Sequence, residues 1–256
     1  MPEAYVEHAP PLSLRPFVEC IWTRRASPSR ESPPIVLPDG CIDIVLGYRS
    51  SAVSPDDALA VGTMTRPLVL DDHEQPALFV GVRFWPGRAY PFLGIPASEL
   101  TDLRVSVADV WGERTPELET IDPREVRGLV ARLESLLLRR AGRTVDVNRT
   151  VDAAVRAILR ARGNLSIATL APALGVTRQY LARAFALHVG VPPKTFARVA
   201  RARNVIARAR ADAKLSWSAL ALDAGYYDQA HLAGELKELT GLTPSEWANR
   251  VRLAQP

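Results

Sequence analysis

Leu170-Ala171-Pro172-Ala173-Leu174-Gly175-Val176 returns fifty residues later as Leu220-Ala221-Leu222-Asp223-Ala224-Gly225-Tyr226. Further along, Gly190-Val191-Pro192-Pro193-Lys194-Thr195-Phe196 matches Gly241-Leu242-Thr243-Pro244-Ser245-Glu246-Trp247, now 51 apart, and Leu181/Leu232 and Phe185/Leu236 keep that offset. The second copy therefore carries one extra residue just after its glycine. Two copies make a duplication and not the longer array from which a solenoid is built.

Each copy predicts a helix, a tight turn and a second helix. Ser166 is a suitable N-cap for the first short helix, and Ser216 or Ser218 for its counterpart. Gly175 and Gly225 end these helices, where a residue with positive φ lets the chain turn sharply. Thr177 and Asp228 then open the segments 177–188 and 228–239, whose apolar pairs Leu181/Phe185 and Leu232/Leu236 are four apart and face inward. Between the units, residues 195–211 place Phe196, Val199, Ile206 and Ala209 on one stripe, with Arg198, Arg201, Arg203, Arg208 and Arg210 around the rest. Such a helix links two modules rigidly.

A helix-turn-helix lays its second helix in the major groove and grips phosphate with basic neighbours. Arg178, Gln179, Tyr180 and Arg183 lie early on the first such helix; Gln229, His231 and Lys237 lie on the second. Glutamine can bridge adenine N6 and N7, and arginine guanine O6 and N7, each contributing about 1–3 kcal/mol of discrimination. Any one of these side chains, taken singly, reads better as solvated surface. The repeated frame carries the reading.

Charge agrees. Residues 1–142 hold 15 Arg and no Lys against 20 acids, a net of −5; residues 143–256 hold 14 Arg and 3 Lys against 8 acids, a net of +9, which together give +4. An acidic half joined to a basic half directs only the second toward a polyanion. At 47% hydrophobic and 23% charged, the 256 residues are ordinary for two globular domains. No apolar run approaches a membrane span, and the start has no basic region feeding an apolar stretch. Two cysteines, Cys20 and Cys41, are too few for a disulfide framework or a four-thiolate zinc site, which points to the cytoplasm.

Residues 149–252 resemble the DNA-binding domain of AraC/XylS-type transcription regulators, in which two helix-turn-helix units are joined by a helix. The matching residues are Leu170-Ala171, Gly175-Val176-Thr177, Leu181, Arg183, Phe185 and Gly190, then Ala219-Leu220-Ala221, Gly225-Tyr226, Asp228-Gln229, His231-Leu232, Leu236-Lys237 and Gly241-Leu242-Thr243-Pro244. The resemblance implies base-facing positions at Gln179, Ala182 and Arg183 in the first unit, and at Gln229, Ala230 and His231 in the second. It also implies double-stranded DNA, RNA polymerase, a small-molecule effector and a second copy of the chain as partners, and no cofactor. Gly234 stands where the family often has arginine, and Pro172 sits inside the first short helix, where its ring should disturb the preceding turn. The first unit is thus expected to carry more of the base readout.

Residues 1–112 read as short strands. Ile42, Ile44 and Leu46 alternate with Cys41, Asp43 and Val45, and Leu78, Val80, Val82 and Phe84 with Phe79, Gly81 and Arg83. Pro38-Asp39-Gly40 reads as a turn, and Ala26–Pro34 and Ser50–Ala58 as loops. The expected architecture is two-domain α+β: a small β-barrel or sandwich with a long helix, then an all-α domain. Segments around Pro10-Pro11-Leu12, Phe17–Trp22, Leu37–Asp43 and Gly81–Gly87 resemble, more loosely, a sensor-domain variant found in such regulators. Trp22, Asp43, Tyr48, Arg83, Trp85 and Tyr90 are the candidate lining of an effector pocket, with core packing as the even alternative. His8 and His73 are the only histidines of this half, so no metal site is expected. The rival reading is an enzyme with its site near Cys41 and Asp43 and a nucleic-acid-binding tail. It is weakened because alkyl-accepting relatives of such domains hold four metal-bound cysteines.

Residues 123–141 predict one helix, with Asp122 as N-cap, Pro123 in its first turn and Gly142 beyond its end. Val126, Leu129, Val130, Leu133, Leu136 and Leu137 trace an apolar stripe that can cover its own barrel or pair with a second subunit; the family resemblance favours dimerisation. The boundaries that follow are a sensing and dimerisation domain at 1–142, a linker at 143–148 and the DNA-binding domain at 149–252.

Overall fold

The computed structural model describes residues 5–25, 35–49, 52–69, 78–113, 126–141, 147–212 and 216–253. The Ala26–Pro34 loop, the Asp122 cap, Pro123, Gly142 and most of the linker lie outside them.

The alternation of the first half is realised as sheet. Ile42, Ile44, Leu46 and Tyr48 of β4 (Ile42–Arg49) and Leu78, Val80, Val82 and Phe84 of β7 (Leu78–Phe84) are all buried in one core. With β1 (Tyr5–His8), β2 (Val18–Arg25), β5 (Ala52–Val61) and β8 (Arg104–Ser106) they form a six-stranded antiparallel sheet in the order β1-β2-β7-β4-β5-β8. A two-stranded ribbon joins β3 (Ile35–Val36) to β6 (Leu68–Val69). Arg83 of β7 is opposite Cys20 of β2 on one side and Asp43 of β4 on the other. The segment read as a loop from Ser50 to Ala58 is largely strand: Ala52 and Val53 pair with Arg49 and Tyr48, and pairing resumes at Ala58. The turn-forming Ser54-Pro55-Asp56-Asp57 is absorbed as a register shift between those pairings, so the chain stays in the sheet while its proline donates nothing to the ladder.

Helices α1 (Tyr90–Leu93), α2 (Val107–Trp111) and α3 (Val126–Ala141) contribute to the same core. Here the structure corrects an expectation. Leu133, Leu136 and Leu137 of α3 are buried among Tyr48, Phe92 and Trp111 of their own domain, with Val130 packed against them. These described positions of the stripe are taken up within the chain's own core. The edges of α3 are held too: Ser13 donates to Glu134, and Arg140 pairs with Glu113 while lying 5.0 Å above the Trp111 ring. The Val126 and Leu129 side chains lie outside what the structure describes.

The second half is helical. Asn148, assigned by sequence to the linker, caps α4 (Arg149–Arg160) by accepting from the Val151 amide. The two units follow as α5 (Ile167–Ala173) with α6 (Arg178–His188), and α8 (Trp217–Asp223) with α9 (Gln229–Thr240), joined by α7 (Pro193–Ala211) and closed by α10 (Pro244–Leu253). Their turns are copies of one another. Gly175 and Val176 donate to the carbonyls of Pro172 and Ala171, as Gly225 and Tyr226 donate to those of Leu222 and Ala221. Both glycines have positive φ, the left-handed conformation that such a helix end requires. Pro172 does not disturb this. It falls in the last turn of a seven-residue helix, and the bonds before and beyond it, from Leu170 to Ser166 and from Leu174 to Leu170, are intact. Thr177 and Asp228 cap α6 and α9 by accepting from the Tyr180 and His231 amides, and Ser216 caps α8. Ser166 makes no such bond.

Candidate nucleic-acid interface and its link to the sheet domain

Capping and burial fix which face each second helix shows to solvent. On α6, Leu181, Ala184 and Phe185 are buried, whereas Arg178, Gln179, Tyr180, Ala182 and Arg183 are exposed. On α9, Leu232, Glu235 and Leu236 are buried, whereas Gln229, Ala230, His231 and Lys237 are exposed. All nine residues singled out by sequence thus lie on outward faces of the two helices. The faces differ in how tightly they are held. Gln229 accepts a 2.6 Å hydrogen bond from Ser218, and the His231 ring meets Tyr226 edge-on at 5.3 Å. Gly234 has open space around its Cα, where the first unit carries Arg183. Tyr227, 87% exposed just before the Asp228 cap, is the most exposed large apolar side chain among the described residues and had no sequence signal.

The arginines of α7 do other work. Glu235 is buried and receives the Tyr226 hydroxyl at 2.6 Å, Arg201 at 2.9 and 3.0 Å and Arg198 at 2.9 Å. Burial alone would raise its carboxyl, but the hydrogen bonds from Tyr226, Arg198 and Arg201 hold it below its ordinary value. Arg201 also lies 4.2 Å over the Tyr226 ring. Arg208 pairs with Asp223 of α8, and Arg210 sits 5.0 Å above Trp247 of α10. These side chains, which the sequence arranges around a helix as if for solvent, fasten the second unit to the linking helix. One signal was available. In the repeat register Glu235 stands where the first unit has Ala184, a buried position, so an acid there must be paired.

The sheet domain grips the helical domain at three places. Thr63 and Thr101 donate to the carbonyls of Val189 and Gly190, directly after α6, at 2.5 and 2.6 Å. Arg88 pairs with Asp152 of α4, and the Tyr90 ring meets His188 at 5.1 Å. The turn at Pro38–Gly40 rests on α7: the Asp39 carbonyl accepts from Arg203 at 3.1 Å, and the Phe196 ring leaves no room for a Cβ at Gly40. Leu37 packs beside Ile206, Leu236 and Trp247.

The candidate pocket residues do not form one site. Trp22, Asp43 and Arg83 come together on the sheet face away from the core, where the Trp22 indole donates to Asp43 at 2.8 Å and Arg83 lies 3.4 Å from Asp43 and 3.5 Å from Asp39. Burial pushes the Asp43 carboxyl up to about 6, against the pull of Arg83 and the Trp22 hydrogen bond. Tyr48 is on the opposite face, wholly inside the core, with no hydrogen-bond partner for its hydroxyl among the described residues. Trp85 is 41% exposed, and Tyr90 belongs to the contact with His188. An odd-versus-even position on a strand decides this division, since successive side chains point to opposite faces. Burial also pushes the Cys41 thiol well up, with Asp39, Asp43 and Glu19 adding to the effect. A buried, protonated thiol is a poor nucleophile. Among the described residues no group of three or more His, Cys, Asp or Glu could hold a metal ion, and no helix is long and apolar enough to cross a membrane.

Residues 170–250 match a helix-turn-helix domain family, over the stretch that holds both units. The C-terminal half is an AraC-type helix-turn-helix domain. That domain is of a DNA-binding type. Residues 6–106 match a domain of unknown function, DUF6597, which spans the sheet. Among solved structures the chain is similar to ToxT from Vibrio cholerae. An apo ToxT variant is 13% identical, covers 91% of this chain and 97% of its own, and superposes with a TM-score of 0.44. ToxT with bound unsaturated fatty acid is 10% identical, with coverages of 97% and 95% and a TM-score of 0.42. No curated protein matches the chain in sequence.

Proposed function

We propose that this AraC-type regulator reads two successive major grooves with α6 and α9, and that a small-molecule effector acting on the sheet domain controls how the first unit is held. The observation that carries the DNA reading is the shared frame: two capped helices of one repeat bury equivalent positions and turn Arg178, Gln179 and Arg183, and Gln229 and His231, outward. The control reading is supported by the Thr63 and Thr101 bonds at the end of α6 and by the Asp39 turn, which touches Arg83 at one end and α7 at the other. Trp22, Asp43 and Arg83 are the residues we assign to effector recognition. We further propose a homodimer formed through a surface other than the buried stripe of α3, RNA polymerase as a partner, a cytoplasmic location and no catalytic activity, the protonated Cys41 thiol arguing against the enzymatic alternative.

The test is selection of bound fragments from the source genome by the full chain, followed by titration of the selected duplex with wild type and Arg183→Ala. Specific binding is expected to weaken by about 1–3 kcal/mol in the variant with the helical content unchanged. An unchanged isotherm would overturn the assignment of α6 to base contact.

A further inference from the structure

Sequence offers Ser216 and Ser218 equally as the cap of α8. The structure gives that task to Ser216, whose side chain accepts from the Ala219 amide at 3.1 Å. Ser218 is left on the exposed surface of the helix, and its hydroxyl donates instead to Gln229 Oε1 at 2.6 Å, across the turn. The bond joins the first helix of the unit to the first residue of the next helix, eleven residues on. It holds a side chain that would otherwise sample several rotamers in solvent.

The first unit has no equivalent. In the repeat register Ser218 corresponds to Ala168, which has no side-chain donor, and Gln229 to Arg178. The difference fits what the rest of α9 lacks. Ala230 stands where the first unit has Gln179, and Gly234 where it has Arg183. Base contact by the second unit therefore falls largely to Gln229 and His231, and Gln229 is the one held by a side-chain hydrogen bond.

We propose that Ser218 is a positioning residue for base readout by the second unit. By holding Gln229 Oε1 it turns the two amide N–H donors outward, toward a base edge that presents acceptors alone. In the major groove that edge is guanine, with N7 and O6 side by side, whereas adenine presents a donor next to its N7. The inference rests on the proposal that α9 enters the major groove.

The experiment uses the full chain and a set of duplexes derived from the selected fragment, each with one base pair changed across both half-sites. The wild type is expected to show one pair in the second half-site where G·C is preferred over A·T. Ser218→Ala should reduce that preference about 3- to 10-fold, as one hydrogen bond warrants, with every first-half-site preference and the circular dichroism spectrum unchanged. Ser218→Thr, which restores a hydroxyl, should keep it. Gln229→Ala should abolish the same preference, and adding Ser218→Ala should then change nothing further. If Ser218→Ala keeps the wild-type preference, or weakens all positions alike, this assignment is overturned while the groove reading stands. If the wild type shows no base preference anywhere, the groove reading falls and takes the assignment with it.

Discussion

Glu235→Ala is the sharpest probe of how the second unit is held. The carboxylate side chain is 5% exposed and accepts from Tyr226, Arg201 and Arg198. Truncation leaves the Arg201 guanidinium, 17% exposed, and the buried Tyr226 hydroxyl without their acceptor. Breaking a buried pair by removing one partner costs about 3–5 kcal/mol. Arg198 adds little, because it is 30% exposed and keeps Glu238 at 2.6 Å. The expected loss is therefore about 3 kcal/mol, read from urea denaturation of the helical domain by circular dichroism. Glu235→Gln, which keeps an acceptor oxygen but no charge, should lose less, about 1–2 kcal/mol. In a Tyr226→Phe background the Glu235→Ala loss should shrink by about 1 kcal/mol, the coupling of that one bond. Footprinting should show protection of the second half-site fading before that of the first, since this carboxylate ties α9 to α7. A loss under about 1 kcal/mol, or no coupling to Tyr226, would refute the reasoning.

Gly234→Ala should stabilise α9 by about 1 kcal/mol, because the position is mid-helix and open to solvent, and a higher urea midpoint would register it. Thr101→Val should leave the Gly190 carbonyl without its partner and loosen the grip on α6; faster amide exchange around residues 189–191 is expected, and unchanged protection would count against that bond as a holding point. Asp43 has its carboxyl raised by burial, so its contribution to stability is full below the unfolded pKa near 4 and is lost as pH rises through about 6. Asp43→Asn should flatten the stability–pH profile in that window by on the order of 2 kcal/mol, and a difference between the two proteins that does not change from pH 4 to 7 would rule the assignment out.

The duplicated helical frame was legible in the sequence alone, because it depends on local rules: caps at Thr177 and Asp228, left-handed turns at Gly175 and Gly225, and apolar positions four apart. The strand alternation of β4 and β7 was legible for the same reason, and so were the outward faces of α6 and α9. What residues far apart do to one another was not. Only the tertiary structure decided that the α3 stripe is covered by its own domain, because an apolar face has the same pattern whatever buries it. Only the fold turned the α7 arginines from the polar side of a linking helix into ties, by placing Glu235, Asp223 and Trp247 beside them. It divided the candidate pocket between two sheet faces and an inter-domain contact, and it chose between Ser216 and Ser218. Periodicity tells a side chain which way to point; the partner it meets there depends on other elements of the chain, whose approach no local pattern encodes.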